Sequence, residues 1–181
     1  MARFYPELND SHRSFIERQH VFFTATAPAS GRINLSPKGM DSFRVLDDKT
    51  AGYLDLTGSG NETAAHLREN GRFTFMFCSF EGDPLILRLY GQGKVIRRQD
   101  ADWSKWRPGF PDLTGERQII LMYIESVQTS CGYAVPLMDY QGERDTLARW
   151  AEKKGTVGLL DYWREKNSVS IDGLPTGLLE D

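Results

Sequence analysis

Apolar and polar positions alternate with a period of two through the first two thirds of the chain, broken by glycine and proline, and shift to helical spacing near both ends. The opening helical stretch, SHRSFIERQH, turns Phe15 and Ile16 inward, leaves Arg13, Glu17 and Arg18 solvated, and takes Asp10 or Ser11 as its cap. HVFFTATA is β-branched and aromatic and predicts a strand stopped by Pro28. RINLSPKG then predicts a second strand, with Ile33 and Leu35 on one face and Arg32, Asn34 and Ser36 on the other. Pro37 ends it, and Lys38 projects from the next turn. The polar face reads either as an exposed strand side or as a grip for phosphate, carbonyl or ring-nitrogen groups. A hairpin through FRVLDDKTAGYLDLT, turning at Asp47, Asp48 and Lys49, is expected to bring this strand beside the opening stretch.

The end of that hairpin is the centre of the pattern. Gly52, Leu54 and Leu56 alternate with Tyr53, Asp55 and Thr57, and the strand breaks at Gly58-Ser59-Gly60. A helix follows at once, with Asn61 as N-cap, Glu62 in its first turn, Leu67 as apolar anchor and Asn70-Gly71 as its end. The free N–H groups of a helix start, flanked by the hydroxyls of Thr57, Ser59 and Thr63, suit a phosphate or another anion. Glu62 is the other candidate for the anion at this end. The stretch lacks the Gly-Lys-Ser/Thr of a Walker loop and the third glycine of a dinucleotide fingerprint.

RFTFMFCSF is apolar on both faces, and QIILMYIESVQTS repeats the pattern with Ile119, Leu121 and Tyr123 against Ile120, Met122 and Ile124. Two such strands are hard to cover within one small subunit, which predicts a homodimer. Between them PLILRLYGQGKVI places Leu85, Leu87 and Leu89 on one side and Ile86, Arg88 and Tyr90 on the other. Arg88 then needs a carboxylate such as Asp55 or a bound phosphate. Residues 97–117 form an irregular insert in which Asp100 caps a short helix; Trp103 and Trp106 either pack or cover a ligand ring. Residues 142–155 and 156–167 read as two helices, with Leu147 and Trp150 inward, and 168–181 as an extended tail. The sum is mainly β: one domain over 1–181, a small β-barrel with a short N-terminal helix, one inter-strand helix and C-terminal helices.

Composition narrows the chemistry. With 181 residues, 40% of them hydrophobic, the chain can bury a sizeable core. A formal charge of −3 and no basic run argue against nucleic acid, and no apolar run is long enough to span a bilayer, so a soluble, cytoplasmic protein is expected. Cys78 and Cys131 read as reduced thiols, and the scattered His12, His20 and His66 give no metal-ligand spacing.

The ordered set INLSPKG, YLDLTGSGNETAAHLRENGR, LILRLYGQG, ESVQTSCGYAVP and NSVSIDGLPT resembles the pyridoxamine 5′-phosphate oxidase-like group of FMN-binding split-barrel proteins, over nearly the whole chain. The resemblance implies a split β-barrel, a homodimer with flavin sites at its interface, and FMN as cofactor. It points to Arg32, Asn34, Ser36, Lys38, Thr57, Ser59, Thr63 and Arg88 as cofactor-binding candidates and to no catalytic side chain. Glu62 and Thr63 stand where the oxidases carry an Arg-Lys pair, and the final GLPTGLLED lacks their basic and aromatic substrate-phosphate residues. The resemblance therefore implies a flavoprotein oxidoreductase served by a nicotinamide donor or another reduced substrate, not a pyridoxamine phosphate oxidase. The alternatives are a non-catalytic flavin binder or sensor and a reductase using a deazaflavin.

Overall fold

The computed structural model of the protein describes residues 2–180. Its elements in order are β1 (Arg3–Tyr5), α1 (Asp10–Glu17), β2 (Phe22–Thr26), β3 (Asn34–Lys38), β4 (Phe43–Val45), β5 (Thr50–Leu56), α2 (Glu62–Asn70), β6 (Arg72–Cys78), β7 (Ile86–Arg97), α3 (Trp103–Trp106), β8 (Glu116–Ser130) and α4 (Thr146–Tyr162). All strand pairs are antiparallel, in the order β3-β2-β6-β7-β8-β5-β4, with β1 paired to β8 beyond the end of β5. The β4–β5 hairpin forms as expected, but its partner is β8, not the opening strands. The two regions meet across the interior instead. Phe22 of β2 and Phe43 of β4 pack at a centroid separation of 5.0 Å, and Phe43 also abuts Phe75 and Phe77. Aromatic packing, not a hydrogen-bond ladder, closes the curled sheet on itself.

Curling needs points where backbones come close. Gly91 sits at a register shift between β7 and β8, where any side chain would collide with the Tyr123 carbonyl. A second shift at Asp55/Leu56 bends β5 just before the glycine turn.

Two apolar clusters fill the fold. The larger gathers Phe22, Tyr53, Phe75, Phe77, Leu87, Leu89, Ile120 and Met122 inside the curl. The smaller lies on the other face of the sheet, where Leu54, Ile96, Phe110, Ile119 and Leu121 pack with Trp103 and Trp106. β8 is therefore buried on both faces over 117–122 within one chain, while Tyr123 and Glu125 are exposed. The insert containing α3 supplies the second cover, so its tryptophans are packing residues and no partner subunit is needed there. β6 is covered fully only on its Phe73, Phe75 and Phe77 face, while Thr74 and Met76 are half-buried.

Three local expectations change. Asn9, not Asp10 or Ser11, caps α1, in a reciprocal box with His12. Pro37 lies inside β3, which tolerates it as the sheet's edge strand. The two C-terminal helices run on as α4, interrupted at Gly155 (φ 64°) and finished by a wide turn over Trp163–Asn167. No helix among the described residues is long and apolar enough to cross a membrane.

Candidate functional site

β5 runs out at Leu56, and the next residue is locked to the α3–β8 loop: Thr57 N–H donates to the Gly115 carbonyl at 2.8 Å and its hydroxyl donates to the same oxygen at 2.9 Å. The Gly58-Ser59-Gly60 turn follows, and α2 starts at Glu62. Asn61 stands at the cap position without capping, because its side chain faces the interior: Oδ1 accepts from Gln118 at 2.7 Å and Nδ2 reaches the Asn167 carbonyl at 3.4 Å.

Behind the turn lies a buried polar network. Asp55 Oδ2 accepts from Arg117 Nε at 3.0 Å, Arg117 Nη2 at 2.7 Å and Gln118 Nε2 at 2.9 Å. Arg117 Nη1 donates onward to the Gly60 carbonyl at 3.1 Å and to Asn167 Oδ1 at 2.8 Å. Asp55 and Arg117 are each 3% exposed, so the ion pair is sealed from water. Burial alone would raise the Asp55 carboxyl, yet the charges of Arg117 and Lys38 and the donors of Arg117 and Gln118 outweigh it and hold the pKa below the ordinary carboxylate value. Burial and the Asp55 charge push the neighbouring Tyr53 phenol well above its usual range.

In front of the turn lies a cavity of about 980 Å³. Lys38 and the Thr57–Ser59 segment form one side; His20, Phe80, Met138, Tyr140, Trp150 and Tyr162 contribute a largely aromatic and apolar wall. The His20 and Tyr140 rings stack at 3.6 Å and 6°, and Glu143 ties the 138–144 loop down by accepting from the Met40 N–H and the Tyr140 hydroxyl. Lys38 Nζ is 3.5 Å from Asp55 Oδ1, a long contact for an ammonium with three donors, and 5.6 Å from the Tyr53 ring centre. One carboxylate thus joins the sealed Arg117 to the cavity-lining Lys38.

The expected site residues divide into three groups. Lys38, Thr57 and Ser59 share the cavity wall, though the Thr57 hydroxyl is already bonded to Gly115 and to Trp163 Nε1. Asn34, Ser36 and Thr63 form a chain of side-chain bonds: Ser36 Oγ donates to Asn34 Oδ1 and Asn34 Nδ2 to Thr63 Oγ1. Of the two readings of the β3 polar face, the exposed strand side does not hold for Asn34 and Ser36. Ile33 and Leu35 are 78% and 63% exposed, while Asn34 and Ser36 are the half-buried, inward positions. The third group stands apart. Arg32 is paired with Asp172 of the tail, and Arg88 donates to Ser130 Oγ at 3.3 Å and is absent from the cavity wall. Asp55, offered as a partner for Arg88, belongs to Arg117. Glu62 accepts the Ile171 N–H at 3.0 Å, so this helix start receives its anion from within the chain and holds the tail by it.

Arg117, Gln118 and Asn167 escaped the sequence reading. The sequence leaves Arg117 at the end of the irregular insert and Gln118 at the start of an apolar strand, and nothing in a linear pattern pairs Arg117 with a carboxylate 62 positions earlier.

A family model described as pyridoxamine 5′-phosphate oxidase matches residues 8–131. The pyridoxamine 5′-phosphate oxidase family protein ustO of Aspergillus flavus is 43% identical over an alignment 193 positions long, covering 97% of this chain and 78% of that protein. Among solved structures, HupZ of Group A Streptococcus superposes with a TM-score of 0.53 at 24% identity, covering 66% of this chain and 91% of its own. A candidate pyridoxamine 5′-phosphate oxidase of Lactobacillus delbrueckii gives a TM-score of 0.53 at 17% identity, over 68% and 94% of the two chains. Both share the split-barrel fold.

Proposed function

Because the chain belongs to the pyridoxamine 5′-phosphate oxidase family, we propose that it is an FMN-binding oxidoreductase that holds its cofactor in the cavity beside Lys38 and the 57–59 turn. The observation that carries this reading is the meeting of a cation, an open turn and an aromatic wall around one space. At about 980 Å³ that space lies at the upper end of the ~300–1,000 Å³ range of small-molecule sites. Lys38, the Ser59 hydroxyl and the turn's N–H groups are the donors that would take the phosphate; His20, Tyr140, Trp150 and Tyr162 offer flat surfaces suited to the ring system. Bound FMN supplies the hydride and electron chemistry. The chain's part is to grip, orient and shield it, with a nicotinamide nucleotide or another reduced small molecule as donor. Residues 168–180 pack on α2 and contain no lysine or arginine, which supports a substrate other than pyridoxamine phosphate. The exposed Leu35 on the edge strand and Ile33 just before it, next to the tail carrying the exposed Ile171, support a homodimer in which this face is covered by a second copy.

The test is a pair of titrations with FMN and riboflavin, which differ only in the phosphate. Wild-type protein is expected to take up FMN and prefer it, and Lys38→Ala to weaken FMN by about ten- to a hundredfold while leaving riboflavin nearly unchanged. Arg88→Ala serves as comparison and is expected to affect the two ligands alike. Equal losses for Lys38→Ala remove Lys38 from the phosphate grip; uptake of neither flavin removes the reading itself. Oxidation of NADH or NADPH by the loaded protein then separates an enzyme from a carrier.

A further inference from the structure

The carbonyl oxygens of both glycines in the turn are held from the interior side. Gly58 O accepts from Asn167 Nδ2 at 3.1 Å, and Gly60 O accepts from Arg117 Nη1 at 3.1 Å. Asn167 and Arg117 are bonded to each other at 2.8 Å, and Asn167 is fully buried. Trp163, on the same wide turn as Asn167, donates its indole N–H to Thr57 Oγ1 at 2.8 Å. Among the described residues every peptide bond is trans, so each N–H that follows a held carbonyl points the opposite way. The Ser59 N–H therefore points away from Asn167, and Gly58 and Ser59 are both on the cavity wall. Arg117 also grips Asp55, whose other oxygen faces Lys38. The matched family segment ends at residue 131, so Asn167 and Trp163 reach this turn from outside it.

We propose that Asn167 and Arg117 are positioning residues for anion binding at the cavity: through the Gly58 carbonyl Asn167 aims the Ser59 N–H, and Arg117, bonded to Asn167, places the Lys38 ammonium through Asp55. The C-terminal appendage is then a working part of the site, built so that a buried amide and a buried guanidinium set the direction of donors they never share with the ligand. The inference rests on the flavin reading and deepens it, since the anion is the flavin's phosphate.

Asn167→Ala and Arg117→Lys test it in the full-length protein. Neither substitution changes the formal charge, so a loss confined to the phosphate reports geometry and not attraction. Each variant is first checked by thermal unfolding and far-UV circular dichroism, then titrated with FMN and riboflavin. The expected result is about a tenfold loss of FMN affinity with riboflavin held within about twofold, the size of one misdirected bond to a charged group. Arg117→Lys keeps an ion pair with Asp55 and carries the test if Asn167→Ala does not fold. Parallel losses for both ligands, or no loss for either, overturn the positioning role and leave FMN binding in place. A wild-type protein that takes up neither flavin overturns both.

Discussion

Asp55 is buried, charged and shared: one oxygen takes three donors from Arg117 and Gln118, and the other faces Lys38. Removing it strands a guanidinium in the interior, so Asp55→Ala is expected to cost about 3–5 kcal/mol in chemical denaturation. Arg32→Ala is the contrast. Its partner Asp172 is matched on an exposed side chain, and the loss should stay within about 1 kcal/mol. Acid acts on the same pair. The folded pKa of Asp55 lies below its ordinary 3.8, so the stability it adds is complete above that value and is lost as the pH falls through the lower, folded pKa. An Asp55→Asn variant should show a shallower acid limb in a pH series of melting temperatures. The sequence marked Asp55 as a polar position in a strand and as a candidate partner for Arg88, not for Arg117. Its partner follows from the pairing of β5 with β8, which no local pattern encodes.

At the scale of elements, α1 carries a second pH response. His12 Nδ1 accepts the Asn9 N–H in the capping box, and burial pushes the His12 pKa below 6.5. As the pH falls past 6.5 the unfolded chain takes up a proton that the folded one refuses, so stability drops until the folded pKa is passed. His12→Gln keeps an acceptor at this capping position and is expected to flatten the melting temperature between about pH 7 and 5. The periodicity of 11–20 announced this helix, while the identity of its cap depended on the approach of the preceding chain. α2 shows the same division. Its start and its Asn70-Gly71 end were legible, Gly71 taking φ 71° as a left-handed C-cap, but Asn61 turns inward to Gln118 because the network behind it supplies partners. Glu62→Ala should loosen the tail at Ile171, read as faster amide exchange in residues 168–173 with α2 intact.

For the whole molecule, the insert at 97–117 answers the covering problem for one of the two doubly apolar strands, β8. α3 and Phe110 lie on Ile119 and Leu121, so the argument for a dimer passes from β8 to the exposed edge at β3, beside the half-buried Thr74 and Met76 face of β6. Light scattering is expected to give twice the 20.6 kDa chain mass, and Leu35→Glu to shift it toward the single chain without a change in secondary structure. A single-chain mass for the wild type removes the dimer and leaves the cavity standing. By itself the sequence determined most of the elements, β1 excepted: period-two runs, glycine breaks and helical ends follow from interactions between near neighbours, and the ordered motifs carried the family. Which carboxylate meets Arg117, which face of β3 turns outward and which residues from beyond 131 hold the glycine turn were decided only when the sheet curled. Those contacts join positions tens of residues apart, and their energy depends on burial, a property that a residue acquires from the folded whole.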